Sequence, residues 1–258
     1  MIENKHSEVG VFDIVIPVGP NDHAVIEKQL TYTKRNVIGY RNIYLICYDP
    51  SISVDGCITI DESIFPFSIQ TVANIHGKLD RNGWYLQQLL KFYAGQVIPN
   101  ILDTYLVIDS DTFFLKPTNF IENEKPLYNY GSEHHEPYFI HMAKLDESLT
   151  RFNPYMSGIC HHMMFETKYV IELITKIERK HNLSFYHVFL QWVDDKNGSG
   201  ASEYELYFNF MLHTHYDKIK VRKLNWKNVS VLADDNELDY ISYHYYARQP
   251  SDSSKLVA

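Results

Sequence analysis

FDIVIPVGPNDHAVIEKQLTYTKRNVIGYRNIYLICY, residues 12–48, decides the fold class. Residues 12–18 form an unbroken apolar run of strand length, closed by the turn residues Gly19-Pro20-Asn21-Asp22. A helical stretch follows from residue 23 to about 36. Residues 43–48 are a second apolar run, closed by Asp49-Pro50, and residues 57–60 a short third strand. Strand, helix and strand in alternation predict an α/β fold with a mainly parallel sheet. In such sheets ligands collect beyond the carboxyl ends of the strands.

Further along, the spacing predicts a helix over residues 83–94. Leu86, Leu89, Leu90 and Tyr93 face the core, while Trp84, Gln87, Gln88 and Lys91 share the polar side. Residues 105–108 form an apolar strand that runs into Asp109-Ser110-Asp111. Residues 158–165 read as a strand, 166–181 as a helix, 194–201 as a loop and 202–215 as a helix. Residues 219–224, 229–232 and 240–245 read as short strands, and the tail from residue 250 as frayed. No linker divides the chain. The reading is one domain over residues 1–258, with a nucleotide-binding half at about 10–117, a second half at about 118–250 and a tail at 251–258.

The chain has 258 residues, of which 45% are apolar and 22% charged, both globular proportions that exclude a disordered chain. The net charge of −8, from 24 basic and 32 acidic residues, argues against nucleic acid as a partner. No stretch approaches the roughly 18 apolar residues of a membrane span, and the first residues lack a signal-peptide core. Three scattered cysteines fit a reduced compartment. The expected location is therefore cytoplasmic, and the Asn-x-Ser sequons at Asn182, Asn197 and Asn228 carry no weight. A homodimer is kept open. The twenty tyrosines suit sugar clefts and cores alike.

The Asp109-Ser110-Asp111 segment is the most informative. Two carboxylates one residue apart leave an apolar strand, and in extended chain they point to the same side. Like charges so placed call for a cation between them. Oxygen ligands suit Mg²⁺ or Mn²⁺, whose shells are completed by water and substrate phosphates. The competing reading is a solvated Asx-turn.

Here the chain resembles nucleotide-sugar glycosyltransferases of the Rossmann-like GT-A fold. DIVIPVGPND at residues 13–22 is similar to their first strand and uridine-cradling loop, which implies donor contacts at Pro17, Val18, Gly19 and Asp22. VIDSDTFFLKP at residues 107–117 resembles their DxD strand, which implies a metal on Asp109 and Asp111, with Ser110 against the nucleotide. MSGICHHMMF at residues 156–165 is similar to their donor-sugar segment, with Ser157 and Gly158 as sugar contacts, or else a plain strand start. YISYHYY at residues 240–246 resembles the late strand whose histidine, His244 here, is a third metal ligand. The alternative for His244 is packing among Tyr243, Tyr245 and Tyr246. SEYELYFNF and GWYLQQLLKFY resemble the small transferases of bacterial and large-virus surface polysaccharide pathways. The His-x-x-Gly-x-x-Lys-Pro-Trp ending of retaining relatives is absent after His244. The resemblance implies a metal-dependent enzyme of hexosyltransferase type, with Mn²⁺ or Mg²⁺, a nucleotide-diphosphate sugar donor (a UDP-sugar) and a glycan or protein acceptor.

Roles follow beside the resemblance. Asp111 acts in catalysis through the metal, and an imidazole from His244 would favour Mn²⁺ over Mg²⁺. Arg248 is a candidate cation for the diphosphate, against a solvated surface residue. Lys91 and Gln87, one helical turn apart, are candidates for the phosphates or donor sugar, against a solvated helix face. Glu203 follows a Gly-rich loop and is the candidate base for the acceptor hydroxyl. The alternative is a carboxylate favoured at a helix N-terminus. Glu205 fits a capping box with Ser202, in which glutamine would serve equally. Of His161 and His162, adjacent on a strand, at most one faces the site. Two other functions compete. DSDTFFL also resembles the nucleophile motif of haloacid-dehalogenase-type phosphohydrolases, with Asp234-Asp235 as a second acidic pair and Lys220 or Lys223 as their lysine. A nucleotide-sugar-binding protein without turnover is the third reading.

Overall fold

The computed structural model describes residues 11–78, 80–194 and 198–248. In chain order the first half contains β1 (Phe12–Val18), α1 (Ile26–Asn36), β2 (Val37–Ile38), β3 (Tyr40–Cys47), β4 (Ile58–Asp61), α2 (Ile69–His76) and α3 (Asn82–Val97). Then come β5 (Thr104–Ile108), β6 (Thr112–Phe114), β7 (Thr118–Asn119), β8 (Ile121–Glu122), β9 (Lys125–Asn129) and α4 (Glu136–Leu145). The remainder holds β10 (His162–Glu166), α5 (Thr167–His181), α6 (Phe185–Gln191), α7 (Glu203–Thr214), β11 (Lys220–Arg222), β12 (Trp226–Asn228) and β13 (Tyr240–Ser242).

The architecture is α/β, with a central five-stranded sheet in the order β10-β5-β1-β3-β4, flanked by helices. β5, β1, β3 and β4 run parallel, and β10 is antiparallel to β5. β1 is apolar on both faces because it lies mid-sheet, where neither face meets water. Its one charge, Asp13, is fully buried and saturated by Arg41 Nε at 3.0 Å and Nη2 at 2.6 Å and by the amides of Asn42 and Leu102. That carboxylate ties the starts of β1 and β3 to the approach to β5. The core is strongly aromatic. Phe165 stacks between Tyr105 and Tyr207 at 5.7 and 4.4 Å, and Phe92 meets Phe165, Phe185 and Phe189 edge-on. Much of the tyrosine content therefore serves packing, with Tyr85, Tyr105, Tyr128, Tyr207, Tyr240 and Tyr243 all buried.

The strand order places the site. From β1 the chain steps outward to β3 and β4, then returns to lay β5 on the other side of β1. The carboxyl ends of β1 and β5 therefore flank a topological switch point. Three short strands add a second layer, where β13 runs antiparallel to β6 and parallel to β12. This pairing carries the 240–248 segment across to the end of β5.

Three expectations change. The α3 helix is longer than residues 83–94, and it is buried on nearly all sides, including Gln88 and Lys91. It packs against β1 and α7 at once, which leaves no polar face. The strand expected over 158–165 begins only at His162, because His161 has φ +60° and breaks the extended chain. The strand expected over 229–232 is instead Trp226–Asn228, held in register by β13. The tail from residue 250, the middle of the 194–201 loop and the Asn197 sequon lie outside the described residues.

Candidate functional site

β5 ends at Ile108 and the chain turns at once, with Thr112 N–H donating to Asp109 O at 3.0 Å. The turn gives the two carboxylates different partners, where an extended chain would have kept them side by side. Asp109 is held by Lys91 Nζ at 2.5 Å and Tyr204 Oη at 2.8 Å on Oδ1, and by His161 Nδ1 at 3.3 Å on Oδ2. Asp111 faces the other way, its Oδ2 2.8 Å from His244 Nδ1. Asp111 Oδ1 is buried without a hydrogen-bond partner.

Lys91 is not on a solvated face. It is 1% exposed, and its ammonium also bridges to Glu203 Oε1 at 2.5 Å. A bare ammonium could not be buried so deeply, and two carboxylates make it tolerable. Burial opposes its charge, but Asp109 and Glu203 outweigh burial and raise its pKa. Burial likewise pushes Asp109 up, yet Lys91 and His161 prevail and hold it well below the usual carboxylate range. Glu203 ends on the raised side because burial, helped by Asp109, wins over Lys91. Glu203 starts α7, and its N–H donates to Gln88 Oε1 at 3.0 Å. The chain's two halves thus meet through one lysine, although Glu203 and the acidic pair lie far apart in sequence. Gln88, absent from the sequence-based candidates, completes this anchor; Gln87 is half-buried one turn before Lys91.

On the β1 side, Pro17 and Val18 end the strand and Gly19 opens a short turn, Pro20–Asp22. Space beside Gly19 is open, since a Cβ there would meet nothing within 4 Å. Asp22 accepts from Ser110 Oγ at 2.7 Å and from Arg248 Nη2 at 2.5 Å. Arg248 also reaches the carbonyls of Asn21 and Tyr243, so it is fastened to the site and is no free surface residue. Burial, and then Asp111, raise the Asp22 pKa despite Ser110 and Arg248. His244 packs flat against Tyr246 at 5.2 Å as well as facing Asp111. Burial disfavours its charged form, but Asp111 more than compensates and its pKa rises.

Ser157 and Gly158 are placed by Glu205, not by a strand. The Glu205 carboxylate accepts from Ser157 Oγ at 2.5 Å, Gly158 N at 3.2 Å and Asn209 Nδ2 at 2.9 Å. Ser202 does cap α7 by accepting from Glu205 N at 3.2 Å. The carboxylate itself turns inward, so glutamine is no equal substitute. Gly158 is small for α7: a Cβ would lie 2.6 Å from Phe208 Cβ and 2.7 Å from Tyr204 O. The close approach it permits is to that helix. Of the adjacent histidines, His161 joins the site, 5.0 Å from the His244 ring and 4.9 Å from Trp226. His162 is core, packed by Phe114, Phe120 and Tyr240, and burial pushes it down to about 3. The positive φ of His161 is what parts them.

Asp234 and Asp235 do not join this cluster. Asp234 accepts from Tyr32 Oη at 3.0 Å and Asp235 pairs with Lys227 at 3.0 Å, while Lys220 pairs with Glu122. A cleft of about 410 Å³ beside Pro117, Arg222 and Asp239 shares no residue with the site. Among the described residues, no three His, Cys, Asp or Glu side chains are set to hold a metal ion unaided. No helix among them is long and apolar enough to cross a membrane.

Residues 48–247 match the family of unknown function DUF6492. The chain belongs to that family. The DUF6492 span holds Lys91, Asp109, Asp111, Glu203 and His244; β1 with Asp22 precedes it, and Arg248 follows it by one residue. A search of curated proteins finds no match. Among solved structures the chain is similar to apo mouse xyloside xylosyltransferase 1, at 11% identity and a TM-score of 0.47, covering 93% of this chain and 100% of that one.

Proposed function

We propose that this DUF6492 chain is a metal-dependent glycosyltransferase of the GT-A type, moving a sugar from a nucleotide-diphosphate donor, a UDP-sugar, to an acceptor hydroxyl. One observation carries the reading. The Asp109-Ser110-Asp111 turn sits at the carboxyl end of β5, at the switch point beside β1, and is bonded to the β1 loop through Ser110 and Asp22.

The charge and donor types of the site suit a divalent cation, which the side chains as they stand would hold only together with substrate oxygens. Four carboxylates, those of Asp22, Asp109, Asp111 and Glu203, outnumber the permanent cations Lys91 and Arg248 that face them. Asp111 Oδ1 supplies a buried acceptor with nothing to accept from. Asp109, Asp111 and His244 are the proposed ligands, with diphosphate oxygens and water completing the shell, as is usual for Mg²⁺ and Mn²⁺. Bound there, the ion supplies Lewis-acid stabilisation of charge developing on the leaving diphosphate. Lys91 keeps Asp109 ionised, and Arg248 places a cation at the β1 loop on the diphosphate side. Pro17 to Gly19 line the nucleotide, and Ser157 with Gly158, both buried, act on the donor-sugar side through Glu205 and α7. Glu203 takes the acceptor proton as the acceptor oxygen bonds to the anomeric carbon and the carbon–phosphate oxygen bond breaks, with its electron pair leaving on the diphosphate. Its raised pKa suits that task, and a base so used implies inversion.

Calorimetric titration with UDP tests the reading. Tight binding with Mn²⁺ and much weaker binding in chelator is the expected result. Equal affinity in both would remove the metal, and absence of binding in both would sink the transferase assignment.

A further inference from the structure

We propose that the mouth of this site, formed by Arg81, Trp84, Tyr138 and Tyr246, is a carbohydrate-binding subsite and that the acceptor is a glycan. The inference rests on the transferase reading for the acceptor's role, but the subsite itself is argued from its own geometry.

The four side chains come from three separate places and converge on the acidic cluster. Trp84 lies one helical turn before Gln88, the partner of Glu203 N–H. Tyr138, in the first turns of α4, stacks with Trp84 at 6.3 Å and 24°. Burial first, and Glu203 among its neighbours, push the Tyr138 hydroxyl up to about 12. Arg81 sets its guanidinium 5.8 Å from the Trp84 ring centre and donates to Ser199 Oγ at 2.9 Å. His135 Nε2 lies 2.7 Å from the Ser199 carbonyl, and its ring is 4.5 Å from Tyr138. Tyr246 lies flat on His244 and is still 73% exposed, so one ring face is backed by the site and much of the ring is open. Through His244, whose Nδ1 lies 2.8 Å from Asp111 Oδ2, the ring is seated at the edge of the acidic cluster.

The composition of this rim selects its ligand. A pyranose presents C–H groups on a ring face and hydroxyls around its edge. The C–H groups carry partial positive charge and suit the negative face of an aromatic ring. The hydroxyls require donors and acceptors interleaved with the aromatics, and Arg81, His135 and Ser199 provide both. A peptide that binds by strand addition needs an open sheet edge. The rim instead consists of two helix starts and the Tyr245–Ala247 turn. Arg81 also has φ +59°, a left-handed conformation that a non-glycine residue holds at a cost, and such strain gathers at binding sites.

The test applies fluorescently labelled protein, with UDP and Mn²⁺ present, to printed arrays of oligosaccharides and of peptides. UDP affinity and melting temperature are measured in parallel. Wild type should bind at least one class of oligosaccharide. Tyr246→Ala and Trp84→Ala should each weaken that binding about tenfold, whereas Tyr246→Phe, which keeps the ring face, should preserve it. Trp84→Ala should leave UDP affinity unchanged. Oligosaccharide binding indifferent to both alanine variants would overturn the subsite. So would capture of peptides alone, or no capture of any oligosaccharide by protein that binds UDP normally, and in these cases the transferase reading stands. Oligosaccharide binding lost in the variants, by a protein that ignores UDP, would support the subsite and overturn the transferase reading.

Discussion

Lys91 bears two ion pairs at 1% exposure, so its removal strands the buried Glu203 carboxylate and takes the cation from the half-buried Asp109. Breaking one partner of a buried pair typically costs about 3–5 kcal/mol. Lys91→Met should lose stability on that scale in urea unfolding at neutral pH. Because burial already raises the Glu203 pKa, the unpaired Glu203 should take up a proton as pH falls. The deficit should therefore be smaller at pH 5 than at pH 8. Adding Glu203→Gln to Lys91→Met should restore part of the loss at pH 8. A single and double variant of equal stability would show that Lys91 and Glu203 are not coupled. This lysine also shows where sequence reading stops. Its place on the helix was visible, but the carboxylates that let it be buried lie 18 and 112 residues away.

The elements that carry the site are positioned by close packing as much as by hydrogen bonds. α7 bears Glu203, Tyr204 and Glu205 on its first turn and rests directly on Gly158. Gly158→Ala would force a methyl group into Phe208 and the Tyr204 carbonyl. Overpacking of this kind costs about 1–3 kcal/mol, read as a lowered melting temperature. Gly83, near the start of α3, provides the contrast. A Cβ there meets nothing within 4 Å, so Gly83→Ala should stabilise the chain by about 0.5–1 kcal/mol through the higher helix propensity of alanine. A Gly158→Ala variant as stable as wild type would show that the α7 contact yields without cost. The glycine itself was legible in sequence, but its neighbour was not, because Phe208 lies fifty positions on and no local pattern announces the contact.

Across the whole molecule, two buried histidines set an acid limit on stability. Burial pushes His141 down to about 4 and His162 to about 3. Both folded values lie below that of an unfolded histidine, near 6.5. Above that value neither state is charged and the shift has no effect. As pH falls below it, the unfolded chain takes up protons that the folded chain refuses, so stability drops. From pH 7 to pH 5 each histidine should remove about 2 kcal/mol. His162→Phe keeps an aromatic ring among Phe114, Phe120 and Tyr240 and cannot titrate. Its urea midpoint should fall less between pH 7 and pH 5 than that of wild type, and an equal fall would show that His162 is already protonated in the fold.

The α/β class, the central strand Phe12–Val18 and the apolar strand that delivers the acidic pair after Ile108 were determined by local pattern. An apolar run of strand length bounded by turn residues has few other uses. The α4 and α6 helices and the short strands β6 and β12 were not legible, since each is short and owes its form to neighbours distant in the chain. Only the tertiary structure decided that Lys91 is buried, that Asp109 and Asp111 turn to different partners, that Glu205 clamps Ser157, and that His161 faces the site while His162 enters the core. In each case a charge or a polar group is placed by what compensates it, and that partner is brought near by sheet order and helix packing, not by sequence spacing.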